Sequence, residues 1–127
     1  MYKTYYSKDL ILNDCARKSL RESILHEQPF GVHPDKIFLE KEKLATRIDQ
    51  SNYQLNKGDF FLLTSGSTGV PKVIIGNLKN TLNLVDKINY YQGLESCEAT
   101  ICSLPLSYSY GFVNQFLWSV KYNKKIS

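Results

Sequence analysis

The fold is best predicted from the stretch Thr64-Ser65-Gly66-Ser67-Thr68-Gly69-Val70-Pro71-Lys72. Apolar runs flank it, residues 60–63 before and 73–75 after. Such runs bounded by turn residues indicate buried strands, so the pattern predicts a strand–loop–strand unit. Glycines allow close approach to a ligand, consecutive N–H groups can surround an anion, and hydroxyls and a lysine add donors and charge. The loop therefore predicts phosphate binding, with a glycine- and serine-rich surface turn as the open alternative.

Two better-known phosphate motifs do not fit this loop. A P-loop places a lysine directly after its second glycine, whereas Val70-Pro71 follows Gly69 here, and no helical pattern starts straight after Lys72. The glycine spacing also differs from that of a dinucleotide-binding fingerprint. The loop belongs to neither class.

The decapeptide that starts at Leu63 and ends at Lys72 resembles the phosphate-loop signature of the adenylate-forming enzymes. This superfamily includes acyl-CoA synthetases, adenylation domains of peptide synthetases, and luciferases. A second stretch, Leu104-Pro105-Leu106-Ser107-Tyr108-Ser109-Tyr110-Gly111, resembles the next core motif, in the same order and at a fitting interval. The resemblance covers about half of the chain, from residue 59 to roughly 120. It implies an α/β fold, specifically a partial layered sheet-and-helix large subdomain of such an enzyme.

Enzymes of this superfamily join a carboxylate to the α-phosphate of ATP, release pyrophosphate, and pass the acyl group to a thiol, amine or alcohol. By resemblance, the residues that contact the ATP β- and γ-phosphates are Thr64, Ser65, Gly66, Ser67, Thr68, Gly69 and Lys72. The resemblance also implies ATP with Mg²⁺ as cofactor. Many members have a glycine where Val73 stands, a departure that concerns local packing of the loop.

Tyr108 and Gly111 match acyl-pocket positions of the second motif. Near neutral pH a tyrosine can shape a pocket and hydrogen-bond, but it does not act as a base. A buried aromatic residue between strand and helix is an equally good interpretation of Tyr108. The resemblance places no catalytic residue and no metal ligand in this chain.

Later family motifs, which hold Mg²⁺, the ribose and the catalytic lysine, have no match here. We therefore expect an N-terminal-side fragment of an ATP-dependent carboxylate-activating ligase that uses CoA or a carrier protein and is inactive alone. Two alternatives remain open. The chain is either a stand-alone, non-catalytic phosphate-binding module or one half of a split enzyme whose complementary chain carries the missing motifs.

The charge, hydropathy and cysteine content of the chain restrict the classes of function to consider. The net charge of +4 is mild and forms no basic stripe, which argues against nucleic-acid binding. No apolar run approaches the roughly 18 residues of a membrane span. Three cysteines without paired spacing indicate reduced thiols and a cytoplasmic location. The expected domains are an N-terminal helix and connector (residues 1–58) and a partial AMP-binding domain (59–127).

Before the loop, periodicity predicts a helix over residues 7–26 with Ser7 as its N-cap, ended by a turn at residues 28–31. His26 and His33 are expected as surface or turn residues. Residues 37–39 form a possible strand, residues 45–58 a connector, and residues 56–59 a turn.

After the loop, a turn is expected at Gly76 and Asn77, followed by a helix over residues 78–91. Asn77 is its predicted N-cap, and Gly93 suits the position after its last turn. A buried strand is predicted over 99–104 and a helix over 112–121, and the family resemblance implies that another strand begins at Ser127.

Overall fold

The structure, a computed structural model, describes residues 2–34, 55–63 and 73–126. Its centre is a four-stranded mixed sheet with the strand order β1-β2-β3-β4. The strands are β1 (Lys3–Tyr6), β2 (Phe30–His33), β3 (Asp59–Leu63) and β4 (Val73–Asn77). The first three run parallel, and β4 is antiparallel to β3. The chain therefore has a mixed α/β fold, as predicted, while the domain boundary after residue 58 stays a prediction.

The two strands around the predicted phosphate loop form a hairpin. Leu63 at the end of β3 is paired with Val73 at the start of β4, so residues 64–72 join adjacent strand ends. The predicted strand–loop–strand unit is thus confirmed for its two strands, but only β3 is buried as predicted, since Ile74 and Ile75 of β4 are 43% and 47% exposed. The turn expected at Gly76 and Asn77 is wrong, because both residues continue β4 and pair with Phe60 and Asp59.

The single helix expected over residues 7–26 is two helices, α1 (Ser7–Leu12) and α2 (Asp14–Leu25). Asn13 separates them in an extended conformation, and its side-chain oxygen accepts hydrogen bonds from the N–H groups of Cys15 and Ala16. An asparagine in this role starts a new helix rather than continuing the old one. The predicted N-cap Ser7 is also wrong, since its hydroxyl accepts a hydrogen bond from Leu106 N–H instead.

The turn expected at residues 28–31 is shorter than predicted, because β2 already begins at Phe30. His33, expected at the surface, is buried at 5% exposure in this strand. His26 is exposed, as predicted. The turn at residues 56–59 is confirmed, with Asp59 N–H donating to Asn56 O (3.0 Å) and Gly58 at φ 81°.

The helix predicted after β4 is confirmed as α3 (Leu78–Tyr91). The Asn77 side chain caps it by accepting from Asn80 N–H (3.1 Å). Gly93 follows its last turn in the left-handed region (φ 63°, ψ 40°), where glycine is favoured.

The C-terminal part differs more from the prediction. The strand expected over 99–104 is only β5 (Ala99–Thr100), and Ile101 beyond it is 70% exposed. The helix expected over 112–121 begins earlier, as a π-helix (Tyr110–Leu117) that continues into α4 (Trp118–Lys121). The last strand, β6 (Lys125–Ile126), runs parallel to β5 and begins two residues before Ser127, where the next strand was expected to start.

The helices pack on one face of the sheet. Phe30 and Phe60 point to this face and contact Phe112 of the π-helix, with ring centroids 6.0 and 5.6 Å away. Because side chains alternate along a strand, Phe61 and Leu63 face the opposite side. There they form a second apolar cluster with Tyr2, Tyr6, Leu55, Val73 and Tyr108.

The possible strand at residues 37–39, most of the connector, and the phosphate loop lie outside the described residues. Within the part of the chain that the structure describes, no helix has the length and apolar character needed to cross a membrane.

Candidate functional site

Three parallel strands end at one edge of the sheet. Their last residues are Tyr6 in β1, His33 in β2 and Leu63 in β3. Ligands of open α/β sheets bind outside the carboxyl ends of the strands. The predicted phosphate loop leaves the sheet at this edge, directly after Leu63. Its own residues, Thr64, Ser65, Gly66, Ser67, Thr68, Gly69 and Lys72, lie outside the described residues, so their phosphate contacts stay a prediction.

A backbone hydrogen bond joins the two sequence motifs at this edge. Leu63, the last residue before the loop, donates its N–H to the carbonyl oxygen of Ser107 in the second motif (2.9 Å). Tyr108 packs on the same apolar cluster as Leu63 and Val73, the two residues that flank the loop. Two motifs that are distant in sequence are therefore neighbours in space.

Tyr108 also connects this junction to the π-helix. Its carbonyl oxygen accepts the N–H of Phe112 (3.0 Å), and its own N–H donates to Pro105 O (3.3 Å). The side chain is half-buried and contributes to the wall of an adjacent cavity. Both interpretations of Tyr108, as a pocket residue and as a packed aromatic, agree with this position.

Gly111 has a packing role in the described structure. It is buried in the π-helix, and a Cβ atom added there would lie 2.7 Å from Pro105 O and 3.1 Å from Leu104 O. Only glycine lets the helix approach this backbone so closely. Its matched position in the acyl pocket remains a prediction.

The adjacent cavity has a volume of about 490 Å³, within the usual range for small-molecule sites. It lies at the carboxyl ends of β1 and β2, between α1 and the segment from residue 102 to 108. Apolar atoms dominate its wall, which is supplied by Ile11, Leu12, Pro34, Leu104 and Pro105.

Polar groups in this wall are few. Lys8 is the charged residue among the described lining residues. The hydroxyl of Ser103 receives a hydrogen bond from Gln115 Nε2 (3.2 Å). By contrast, the fully buried Ser107 hydroxyl has no hydrogen-bond partner among the described residues. A buried hydroxyl in this state costs free energy, which a ligand atom or a water could recover.

Among the described lining residues, Cys102 has a thiol whose pKa is shifted from its ordinary value. Burial raises the pKa of its thiol, and the nearby Arg17 guanidinium partly opposes this change. Arg17 itself donates to the carbonyl oxygens of Leu10 (3.1 Å) and Ile11 (2.7 Å) at the end of α1, and pairs with Asp14. The Arg17 guanidinium is thus close to the cavity, with its charge offset by the Asp14 carboxylate.

Sequence reasoning missed this cavity. Lys8, Ile11 and Leu12 lie within the helix predicted over residues 7–26, and Ser107 lies within the second motif, but no pattern predicts that they meet. Their meeting depends on parallel pairing of β1 with β2 and on the Leu63–Ser107 hydrogen bond, neither of which has a local sequence signal. Among the described residues, no group of three or more His, Cys, Asp or Glu side chains could hold a metal ion.

No protein-family model matches the sequence. Among solved structures, the chain is similar to the adenylation domain of a keto acid-selecting NRPS module bound to keto acyl adenylate, with 18% sequence identity and a TM-score of 0.47. The match covers 91% of this chain and 24% of the other, so the chain spans about a quarter of that protein's length. The proposals that follow rest on the motifs and on the geometry of the carboxyl edge.

Proposed function

We propose that this chain carries the ATP polyphosphate-binding part of a carboxylate-activating ligase. The ligase would form an acyl-adenylate and transfer the acyl group to CoA or to a carrier thiol. One observation supports the proposal most strongly. The hydrogen bond from Leu63 N–H to Ser107 O brings the two motifs together at the carboxyl edge of the sheet.

In this proposal the loop binds the β- and γ-phosphates of ATP. Its backbone N–H groups and hydroxyls donate hydrogen bonds, and Lys72 supplies a positive charge. Such groups stabilise the charge that develops on pyrophosphate as it leaves, because they are already oriented toward it. ATP is proposed to bind together with Mg²⁺, for which we assign no ligand in this chain.

The carboxylate substrate is proposed to occupy the cavity next to the loop. Tyr108 contacts the cluster that flanks the loop and also lines the cavity, so it lies between the two proposed subsites. A carboxylate bound there would meet the α-phosphate close to Tyr108. The phenol would orient the acid by packing and hydrogen bonding rather than by proton abstraction.

The test is ATP-dependent stabilisation of the chain. Trp118 is the single tryptophan and is buried, so its fluorescence reports unfolding. A ligand that binds only the native state raises the unfolding free energy by about 2.7 kcal/mol at 100 times its Kd. We expect ATP to raise the unfolding midpoint, and Lys72→Ala to abolish most of the rise.

Lys87→Ala is the matched control, because it makes the same charge change on an exposed position of α3. It should keep the full response to ATP. If Lys72→Ala and Lys87→Ala respond to ATP equally, the loop does not bind the phosphates and the proposal is wrong.

A second candidate is that the chain is completed by another chain. Sheet β5–β6 has only two strands of two residues each among the described residues, and isolated two-stranded sheets are marginally stable. A partner that carries the later family motifs could extend this sheet. Co-expression with such a chain should then give a stable complex with pyrophosphate-exchange activity, whereas two separate, inactive chains would exclude this arrangement.

A further inference from the structure

The cavity at the carboxyl ends of β1 and β2 has an unusual wall, because one side of it is the short N-terminal helix α1. Lys8, Ile11 and Leu12 of this helix all line it. Leu12 is 70% exposed, so its side chain is accessible to a ligand in the cavity. An apolar ligand in the cavity would cover apolar surface here.

We propose, on the basis of the function proposed above, that α1 is the selective wall of the carboxylate site. Lys8 and the Ser107 hydroxyl recognise the carboxylate of the substrate, while Leu12 limits the size of an apolar, uncharged body. The acid is therefore an aliphatic or aromatic carboxylate without an α-ammonium group.

Ser107 fixes the orientation of the acid. Its backbone carbonyl is bound to Leu63, directly before the phosphate loop, whereas its buried hydroxyl has no partner among the described residues. A carboxylate oxygen that accepts a hydrogen bond from this hydroxyl would lie at the loop end of the cavity. Charge-assisted bonds of this kind are stronger than neutral ones. The reacting group of the substrate would thus face the site of the phosphates.

Lys8 attracts the carboxylate of the substrate over a longer distance than the Ser107 hydrogen bond does. Charges act over about 8–10 Å at physiological salt, and over longer distances where water is excluded. Arg17, fixed at the end of α1 by two backbone carbonyls, is paired with Asp14 and therefore adds little net charge, so Lys8 is the cation assigned to the substrate carboxylate. An α-ammonium group would meet the like charge of Lys8, and no carboxylate is among the described lining residues to bind that ammonium group.

The apolar wall selects the remainder of the molecule. Leu12 and Ile11 line one side of the cavity, and Leu104 with Pro105 lines another. Each apolar contact removes hydrocarbon surface from water at roughly 25 cal/mol per Å². A larger residue at position 12 should therefore exclude ligands by occupying the same space.

The experiment uses Cys102 as a reporter, because this half-buried thiol lines the cavity. The full chain is treated with iodoacetamide, without ATP, and alkylation of each cysteine is followed by peptide mass spectrometry. The probes are 3-phenylpropanoate and phenylalanine, which differ only in the α-ammonium group. Cys15 and Cys97 serve as internal controls.

We expect 3-phenylpropanoate to slow alkylation of Cys102 by the factor 1 + [L]/Kd, about threefold at twice the Kd. Alkylation of Cys15 and Cys97 should not change, and phenylalanine should protect Cys102 far less. If 3-phenylpropanoate gives no protection, or if phenylalanine protects equally, the inference is wrong. Because ATP is absent, that failure would leave the Lys72 result and the proposed function standing.

Matched substitutions distinguish a loss of ligand binding from a loss of folding. Leu12→Trp should remove the ligand-dependent protection, whereas Leu25→Trp, at a similarly exposed leucine of α2 (73%), should keep it. Lys8→Gln should weaken protection several-fold, but Lys18→Gln on α2 should not. Ser107→Ala should weaken protection while raising the unfolding midpoint, because it deletes an unpartnered buried hydroxyl. A merely structural Ser107 would not give these opposite changes.

Discussion

Gly31 in β2 lies directly beneath the ring of Phe61 in β3. The two residues are register partners, and the ring is fully buried. A Cβ atom on residue 31 would overlap Cε1 and Cζ of the ring and lie 2.7 Å from Cε2. The ring has little room to move, since Tyr2 and His33 contact it with centroids 5.0 and 5.1 Å away. Gly31→Ala should therefore overpack this face of the sheet.

The expected effect can be worked from two opposing contributions. Overpacking a well-filled core costs about 1–3 kcal/mol. Alanine is favoured over glycine within a strand by about 0.5–1 kcal/mol. Gly31→Ala should thus lower the free energy of unfolding by up to about 2.5 kcal/mol, with the larger values favoured because three ring atoms are involved.

Phe61→Leu reverses this expectation. Leucine lacks the Cε1, Cζ and Cε2 atoms that the new Cβ would meet. In a Phe61→Leu background, Gly31→Ala should therefore stabilise the chain by about 0.5–1 kcal/mol. The coupling energy between the two substitutions should be about 1–3 kcal/mol.

Urea unfolding of the four proteins, followed by Trp118 fluorescence, measures this cycle. Equal effects of Gly31→Ala in both backgrounds would refute the packing assigned to Phe61. They would also weaken the account of the carboxyl edge, because Phe61 belongs to the cluster that supports Leu63 and Val73.

Three further predictions concern the helices. Asn89→Leu should lower the free energy of unfolding by about 1–3 kcal/mol, because it removes the acceptor of the buried Trp118 indole N–H (3.0 Å). Asn83→Leu, at an exposed position of the same helix, should lower it far less when both variants are measured by urea unfolding. Asn13→Ala should lower the unfolding free energy by about 1 kcal/mol, because it deletes the cap of α2; an unchanged value would show that α1 and α2 do not need this cap. The hydrogen bond to Asp86 raises the pKa of Tyr122 from its ordinary value of 10.0 to about 12. This hydrogen bond therefore contributes fully to stability at a pH below 10.0, and its contribution is lost as the pH rises through about 12. In ¹³Cζ-tyrosine NMR, Asp86→Ala should return this pKa toward 10.0, and a pKa that does not move would contradict the assignment to Asp86.

Local sequence patterns predicted the elements that local interactions determine. Helix α3 combines an apolar stripe with the Asn77 cap and the Gly93 stop, and all three were readable from the sequence. Strands β3 and β4 were likewise predictable, because each is an apolar run next to the glycine-rich loop. Asn13 was missed because a capping residue inside a periodic pattern resembles an ordinary polar position of one long helix.

Other features depend on tertiary contacts that a sequence does not display. The burial of His33 follows from its place in β2, a strand of four residues between two parallel neighbours. The π-helix begins where Gly111 packs on the Leu104–Pro105 backbone, a contact without a periodic signal. In the candidate site, the motifs named the two segments that the structure brings together, whereas the cavity wall formed by α1 arises only from the order of the strands.

The central claim is that residues 64–72 bind the β- and γ-phosphates of ATP, and isothermal titration calorimetry with ATP and AMP tests it most directly. AMP lacks both phosphates, and hydrogen bonds to charged groups contribute about 1.5–3 kcal/mol each. We predict that ATP binds at least about tenfold more tightly than AMP, a difference of about 1.4 kcal/mol or more. Lys72→Ala should remove most of this difference, while Lys87→Ala should preserve it. Equal affinities for ATP and AMP, or a preference for ATP that survives Lys72→Ala unchanged, would contradict the claim.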